Sequence, residues 1–555
     1  MTLPVYEGVP ENFPLVQQDD LFLSALAMES LSPLLDVTKE ELYSPKLPAD
    51  LTDKSALLDV GPAHVPVPLP QGPWLPVKAE FDGFSMVERM QPVELWYKLD
   101  RVFTKPKGTI YAHIQSPLAY ATPRTHVLAT LMVKLTEESL SEELYPAYLA
   151  GLSYSLNTGV TGITVTVSGY NHKLSVLMHR IVERLRSVPL VVTPELFARE
   201  KDKLMRGYLN ASKAVAYQQA RYAESFSLAS PMFHTHEKLA ALTSLTAQDL
   251  IAFVQPFFDS GRIVMYAHGN IVRNEAVRLS QALVALCMMK PPLACELQAQ
   301  RRALLPVGAT VVQWPHGNPE DKESAISILY QAGPTFPTKQ VDYRNMALGS
   351  VLARAMKDAC FDSLRTKEQL GYIVTSYGQT ASEGYCVGIL VQSSQSPLYV
   401  DSRVEAFLNT TFPQVLEKLD QQTFESFVAG CVAQLREKEL NAAQEAGRHW
   451  NKLSQGTYDW ARGEKIVAEL LKLTKADVIK FYNHCILANG AGRRKFVTQV
   501  CARHLTVPAT AAEYVYPAPV NADSAAAPAD LKVTLVDPRQ IGAFKRSLSA
   551  SPGYF

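Results

Sequence analysis

Long apolar runs are missing from this chain of 555 residues. No stretch of roughly 18 residues is wholly apolar, which excludes a helical membrane span. An excess of charge is missing too. Lysine plus arginine and aspartate plus glutamate each number 54, so no electrostatic footprint for nucleic acid or an anionic membrane is expected. Basic and aromatic residues nowhere interleave as a platform for stacked bases requires. The opening MTLPVYEGVPENF has no basic segment followed by an apolar one, so no secretory leader is expected. The seven cysteines (Cys287, Cys295, Cys360, Cys386, Cys431, Cys485, Cys501) are odd in number, scattered, and never form C-x-x-C. That favours a reduced, cytoplasmic protein.

The familiar catalytic spacings are absent as well. His236-Glu237-Lys238-Leu239-Ala240 comes nearest to His-Glu-x-x-His, but alanine stands where the second ligand belongs. The inverted form, His-x-x-Glu-His, occurs at none of the 12 histidines. His234 and His236 suit neither one helix face nor a zinc spacing, and read as a polar loop before a helix at 237–245. No metal is therefore expected on this chain. There is no Gly-x-Ser-x-Gly elbow, no phosphate loop and no dinucleotide fingerprint. The basic, glycine-bearing ANGAGRRK (488–495) follows a helix instead of opening one and reads as a turn.

What is present is an ordinary globular composition, 47% hydrophobic and 19% charged. Residues 1–92 stand apart: 12 of the 36 prolines fall in the first 80 positions, and VPVPLPQGPWLP favours an extended, polyproline-like segment. We read 1–92 as a proline-rich arm or linker with one short apolar helix over 21–31; a partly disordered tail is the alternative. From residue 93 strand and helix patterns alternate. Thr109–Gln115 reads as a strand, His126–Leu135 as a helix and Ile163–Val167 as an alternating strand. Leu174, Leu177, Met178, Ile181 and Leu185 mark one helix face, and Arg262–Ala267 is a further strand. The same order returns with Ala325–Tyr330, a helix through Met346–Met356, a strand at Tyr385–Val391 and a helix from about Asp401. Equivalent landmarks recur about 220 residues apart. The fold class is therefore α+β, with two homologous domains at 93–290 and 310–515 and a tail at 516–555 whose strand, Val533–Val536, docks elsewhere.

The segment Leu364-Arg365-Thr366-Lys367-Glu368-Gln369-Leu370-Gly371-Tyr372 reads as a helix end, with Gly371 in the left-handed conformation after the last turn. Arg365 and Tyr372 then approach one cleft as hydrogen-bond donors, suited to a peptide carbonyl or a developing oxyanion. The plain alternative pairs Arg365 with Glu368 on a solvated face and packs Tyr372 in the sheet.

DSLRTKEQLGYIV, followed by a strand and DSRVEAFL (401–408), closely resembles the C-terminal half of the insulysin and nardilysin branch of the M16 inverted-zincin peptidases. PLAY (117–120), AGLSYSL (150–156), SGYN (168–171), HGN (268–270) and FKRSL (544–548) match in the same order. The resemblance implies two M16-type domains, the family's third and fourth, each an antiparallel-rich sheet packed by helices and together one half of a clamshell. It implies that Arg365 and Tyr372 are auxiliary catalytic residues that contact substrate. It places zinc on the missing N-terminal half or on a homologous partner chain, with peptides as substrates. Leu440 and Asn441 stand where the family's basic cluster has lysines, and Lys438 remains. A non-catalytic scaffold subunit, or a fragment of a longer peptidase, is the alternative.

Overall fold

A computed structural model describes residues 65–66, 91–293, 296–332, 341–381, 384–456, 458–519, 525–528 and 533–548. The expected arm lies outside them, helix included, except that Val65 and Pro66 pair with Tyr97 and Trp96. The first sheet holds β1 (Val93–Leu99), β2 (Lys107–Gln115), β3 (Ser153–Thr158), β4 (Gly162–Tyr170) and β5 (Arg262–Gly269). Their order is β1-β5-β2-β4-β3, antiparallel except for the β1–β5 pair. The second sheet holds β6 (Gly308–Pro315), β7 (Ser324–Ala332), β8 (Ile373–Ala381), β9 (Gly384–Ser393) and β10 (Arg494–Cys501). Its order, β6-β10-β7-β9-β8, repeats the first strand for strand, with β6–β10 as the matching parallel pair. The tail strand β11 (Val533–Val536) adds to β6 in parallel.

The helices that position the sites are α1 (Pro123–Leu140), α2 (Leu174–Val191), α3 (Ala216–Leu228), α4 (Thr235–Ser244) and α5 (Arg273–Cys287) in the first repeat. In the second they are α6 (Tyr343–Cys360), α7 (Pro397–Ala406), α8 (Ala442–Ser454) and α9 (Lys475–Cys485). The expected apolar stripe of α2 is fully buried in the first core, beside α1 and α5. Met346, Val351, Leu352 and Met356 of α6 are buried likewise in the second. Within α6, a Cβ on Gly349 would sit 2.2 Å from the Tyr385 ring, so glycine is what lets the helix lie so close to β9. No helix among the described residues is long and apolar enough to cross a membrane.

Each sheet is covered on its second face by a helix from the other repeat. Helix α3 lies on β7 and β10 of the second sheet. Its Ala216 and Ala220 meet Ala325, Leu390 and Val500, and Phe226 and Leu228 meet Leu329 and Phe496. Helix α8 lies on β2 and β5 of the first sheet, where Ala446, Trp450 and Leu453 pack on Trp96, Val264 and Tyr266. Strands β5 and β7 are consequently buried along their whole length, where a sheet with one wet face would alternate.

The seat of α8 yields a prediction. Ala446 is fully buried against the first sheet, so Ala446→Leu should overpack it and cost about 1–3 kcal/mol. Ala443→Leu on the exposed side of the same helix should stay within about 0.5 kcal/mol of the parent. Urea unfolding of the two variants makes the comparison.

Candidate functional site

Helix α6 does not stop at Cys360. It widens into a π-helical turn, Phe361–Lys367, in which Glu368 N–H reaches the Ser363 carbonyl at 3.0 Å. Such turns arise where a helix must carry an extra residue, and they gather at functional sites. The turn puts the Arg365 guanidinium 4.7 Å from the centroids of both Phe361 and Tyr372. Tyr372 is 82% exposed, unusual for a large aromatic side chain and unlike the packed tyrosine of the plain alternative. Arg365 and Tyr372 are therefore together on the surface, the guanidinium lying against the phenol ring.

Two local expectations are corrected. The left-handed residue after the turn is Gln369 (φ 52°), not Gly371. Gly371 is needed for a different reason: a Cβ there would lie 1.9 Å from the Gln392 carbonyl oxygen of β9. Nor does Glu368 serve Arg365. It accepts a forked pair from Arg403 of α7, with Nε to Oε2 at 2.6 Å and Nη2 to Oε1 at 3.0 Å. The third guanidinium nitrogen donates to the Ala525 carbonyl at 2.7 Å. That fork ties the two motif segments, 362–374 and 401–408, to each other.

The motif on α7 is itself an ion cluster. Lys495 Nζ lies 2.6 Å from Asp401 Oδ1 and 2.8 Å from Glu405 Oε1, and Arg493 also pairs with Glu405; all four side chains are buried. Burial alone would raise the Glu405 carboxyl, but Lys495 and Arg493 overcome it and hold it well below the usual carboxylate range. Arg493 and Lys495 of ANGAGRRK thus turn inward as structural counter-ions.

Two groups of histidines stand out among the described residues. His234 caps α4, its Nδ1 accepting from His236 N–H at 3.2 Å, and its ring stacks on Trp314 at 5.5 Å. The helix begins at Thr235, so His236 lies in its first turn and not in a loop before it. Burial, reinforced by His236, pushes His234 down to about 4. A cleft of about 1320 Å³ opens beside Tyr222, His234, Trp314, Arg503 and Arg539, and neither Arg365 nor Tyr372 lines it.

The second group has no counterpart in the sequence reading. His268 at the end of β5 meets Glu445 and His449 of α8, with donor atoms all within 4.8 Å of one another. His268 Nε2 lies 3.0 Å from Glu445 Oε2, and the Lys98 ammonium pairs with Oε1. The Tyr266 hydroxyl is 3.1 Å from His449 Nδ1. Burial favours a protonated Glu445, but the His268 and Lys98 contacts outweigh it and hold the carboxyl at about 2. The available signal was Glu445-x-x-x-His449, two ligand types one helical turn apart; their partner is 177 residues away from Glu445.

The contrast between the Arg365 and Arg403 contacts is testable. Arg403 is only 3% exposed, so Glu368→Gln leaves a buried guanidinium without its counter-ion and should cost about 3 kcal/mol. Arg365→Ala, which removes only surface ring contacts, should cost less than about 1 kcal/mol. Chemical denaturation of both variants separates the structural arginine from the surface one.

Comparison with known proteins follows the same geometry. Residues 85–241 match the middle or third domain of peptidase M16, and residues 351–450 match domain 4 of the C-terminal lobe of PQQ synthase PqqF-like proteins. Human insulin-degrading enzyme is 30% identical over 436 residues, 78% of this chain and 42% of the enzyme. A nardilysin-like protein of Arabidopsis thaliana is 28% identical over 395 residues, 70% of this chain and 38% of that protein. The crystal structure of pitrilysin superposes with a TM-score of 0.70 at 19% identity, over 85% of this chain and 46% of its own. The chain thus spans less than half the length of the curated relatives it matches. In sequence and in fold it belongs to the insulysin-like M16 peptidase family, as the pair of domains that makes up the C-terminal half of its members.

Proposed function

We propose that this chain closes the chamber of an insulysin-like zinc endopeptidase that degrades oligopeptides, alongside a complementary half that carries the zinc. That half is a partner chain or the remainder of a longer polypeptide. One observation supports the reading above the others: Arg365 and Tyr372, matched to the family's substrate-contacting arginine and tyrosine, stand together at the surface on a firmly anchored turn. A guanidinium and a phenol are donors without strong nucleophilicity. They suit a peptide carbonyl whose oxygen gains charge as the bond is attacked.

No His-x-x-Glu-His stands in this chain to hold the catalytic zinc. That zinc supplies Lewis-acid chemistry when bound by the complementary half. The part of this chain is to bind the peptide, orient its carbonyl and exclude water. A further surface suits contact with the other half: Tyr145, Tyr148 and Leu149 are exposed beside Gly151, the repeat counterpart of Gly371.

The isolated chain should not cleave peptides. In the reconstituted complex, Tyr372→Phe should lower kcat about 100-fold, on the order of 3 kcal/mol, with KM changed far less. Arg365→Ala should do the same. Steady-state kinetics decides: parent turnover in the Tyr372→Phe complex removes the catalytic role and leaves a scaffold subunit.

A further inference from the structure

We propose that His268, Glu445 and His449 form a binding site for one divalent cation of the zinc class, set in the seam between the two repeats. The site is built wholly from residues of this chain. It revises the expectation, drawn from contiguous motifs, that the chain holds no metal.

The donor set comes first. Two imidazoles and one carboxylate are the three protein ligands of zinc centres that leave a further position for water. The set suits a borderline metal better than calcium or magnesium, which take oxygen ligands. One donor atom from each residue already lies within 4.8 Å of the others. Glu445 and His449 stand one turn apart on α8 and so share a face. Packing of Ala446 and Trp450 on the first sheet sets that face against His268.

Two of the three donors, Glu445 and His449, also have a second polar partner of the kind that orients metal ligands. The Tyr266 hydroxyl at His449 Nδ1 orients that imidazole. Lys98 holds Glu445 Oε1, while Oε2 turns toward His268. Without a cation, the His268–Glu445 hydrogen bond closes the site. A cation replaces the proton between Nε2 and Oε2, and that proton leaves to solvent. The Lys98 side chain is 21% exposed, at the rim of an otherwise buried group, so its ammonium moves toward water as the dication enters. The bound ion then joins α8 of the second repeat to β5 of the first.

The test uses the full chain without a histidine tag, stripped by a chelator and dialysed against Zn²⁺ or Co²⁺. Three readouts are taken: metal per chain by mass spectrometry, the visible spectrum of the cobalt form, and the melting temperature. The expected result is one ion per chain, cobalt absorption typical of four or five ligands including imidazole, and a higher melting temperature with metal. His449→Gln and His268→Gln should each weaken binding by roughly tenfold or more. Melting in metal-free buffer checks that each variant is folded. Failure of the parent chain to take up a stoichiometric ion overturns the proposal, whatever the variants do. So does unchanged uptake in folded His449→Gln and His268→Gln, which would place the ion elsewhere. In either case the cluster is a hydrogen-bonded latch only, and the reading of Arg365 and Tyr372 is unaffected.

Discussion

The structure depends on a reciprocal exchange. A five-stranded sheet with helices on one face still has another face to keep from water. Here each repeat solves this for the other, α3 lying on the second sheet and α8 on the first. Small residues make the approach possible: Ala216 and Ala220 on one helix, Ala446 on the other, all essentially without exposure. Large aromatics then seal the edges, with Trp96 stacked on Tyr458 at 5.4 Å and Tyr111 on Trp450 at 4.8 Å. The hydrophobic term sets the scale of this seam, since burying a large apolar side chain is worth roughly 1.5–3 kcal/mol. The polar contacts add direction. A buried carboxylate sits at each seat, Glu224 accepting from Ser327 at 2.7 Å and Glu445 facing His268. A buried charge with a defined partner tolerates few alternative registers.

The second constraint is local. Phe361, Arg365 and Tyr372 form a small exposed cluster whose position is inherited from buried groups behind it. The forked pair between Glu368 and Arg403 fixes the turn to α7, and α7 is held by Lys495 and Arg493. The exposed groups are free to meet a ligand because others carry the structural load. The close approach of Gly371 to β9 sets the height at which Tyr372 leaves the sheet.

Much of the fold was legible in the sequence, for a physical reason. Strands such as β4 and helices such as α2 bury one face, so their apolar spacing announces both the element and its orientation. The repeat was legible because the same spacings return in the same order. Contacts whose partners lie far apart in the chain were not. Glu368 looked like a neighbour for Arg365, but Arg403, 35 residues on, offers a fork that matches the carboxylate. The glycine signal at 371 was real and its cause was misassigned, since Gln369 carries the positive φ. Arg493 and Lys495 read as part of a basic turn and are buried counter-ions. The histidine cluster was illegible because no local pattern joins β5 to α8. At Arg365 and Tyr372 the residue types suggested donors, and only the family string pointed to a role in contacting substrate.

The exchanged helices also bear on how such a chain accepts change over evolutionary time. After a duplication, two copies ordinarily drift apart freely, each answering to its own core. Here a side chain on α8 is packed by strands from the other copy, and one on α3 likewise. Volume gained at Ala446 has to be given back at Val264 or Tyr266, some 180 positions earlier in the chain. The two halves of this repeat are therefore bound to diverge together. Substitutions along α3 and α8 should track the opposite sheet more closely than the sheet of their own repeat.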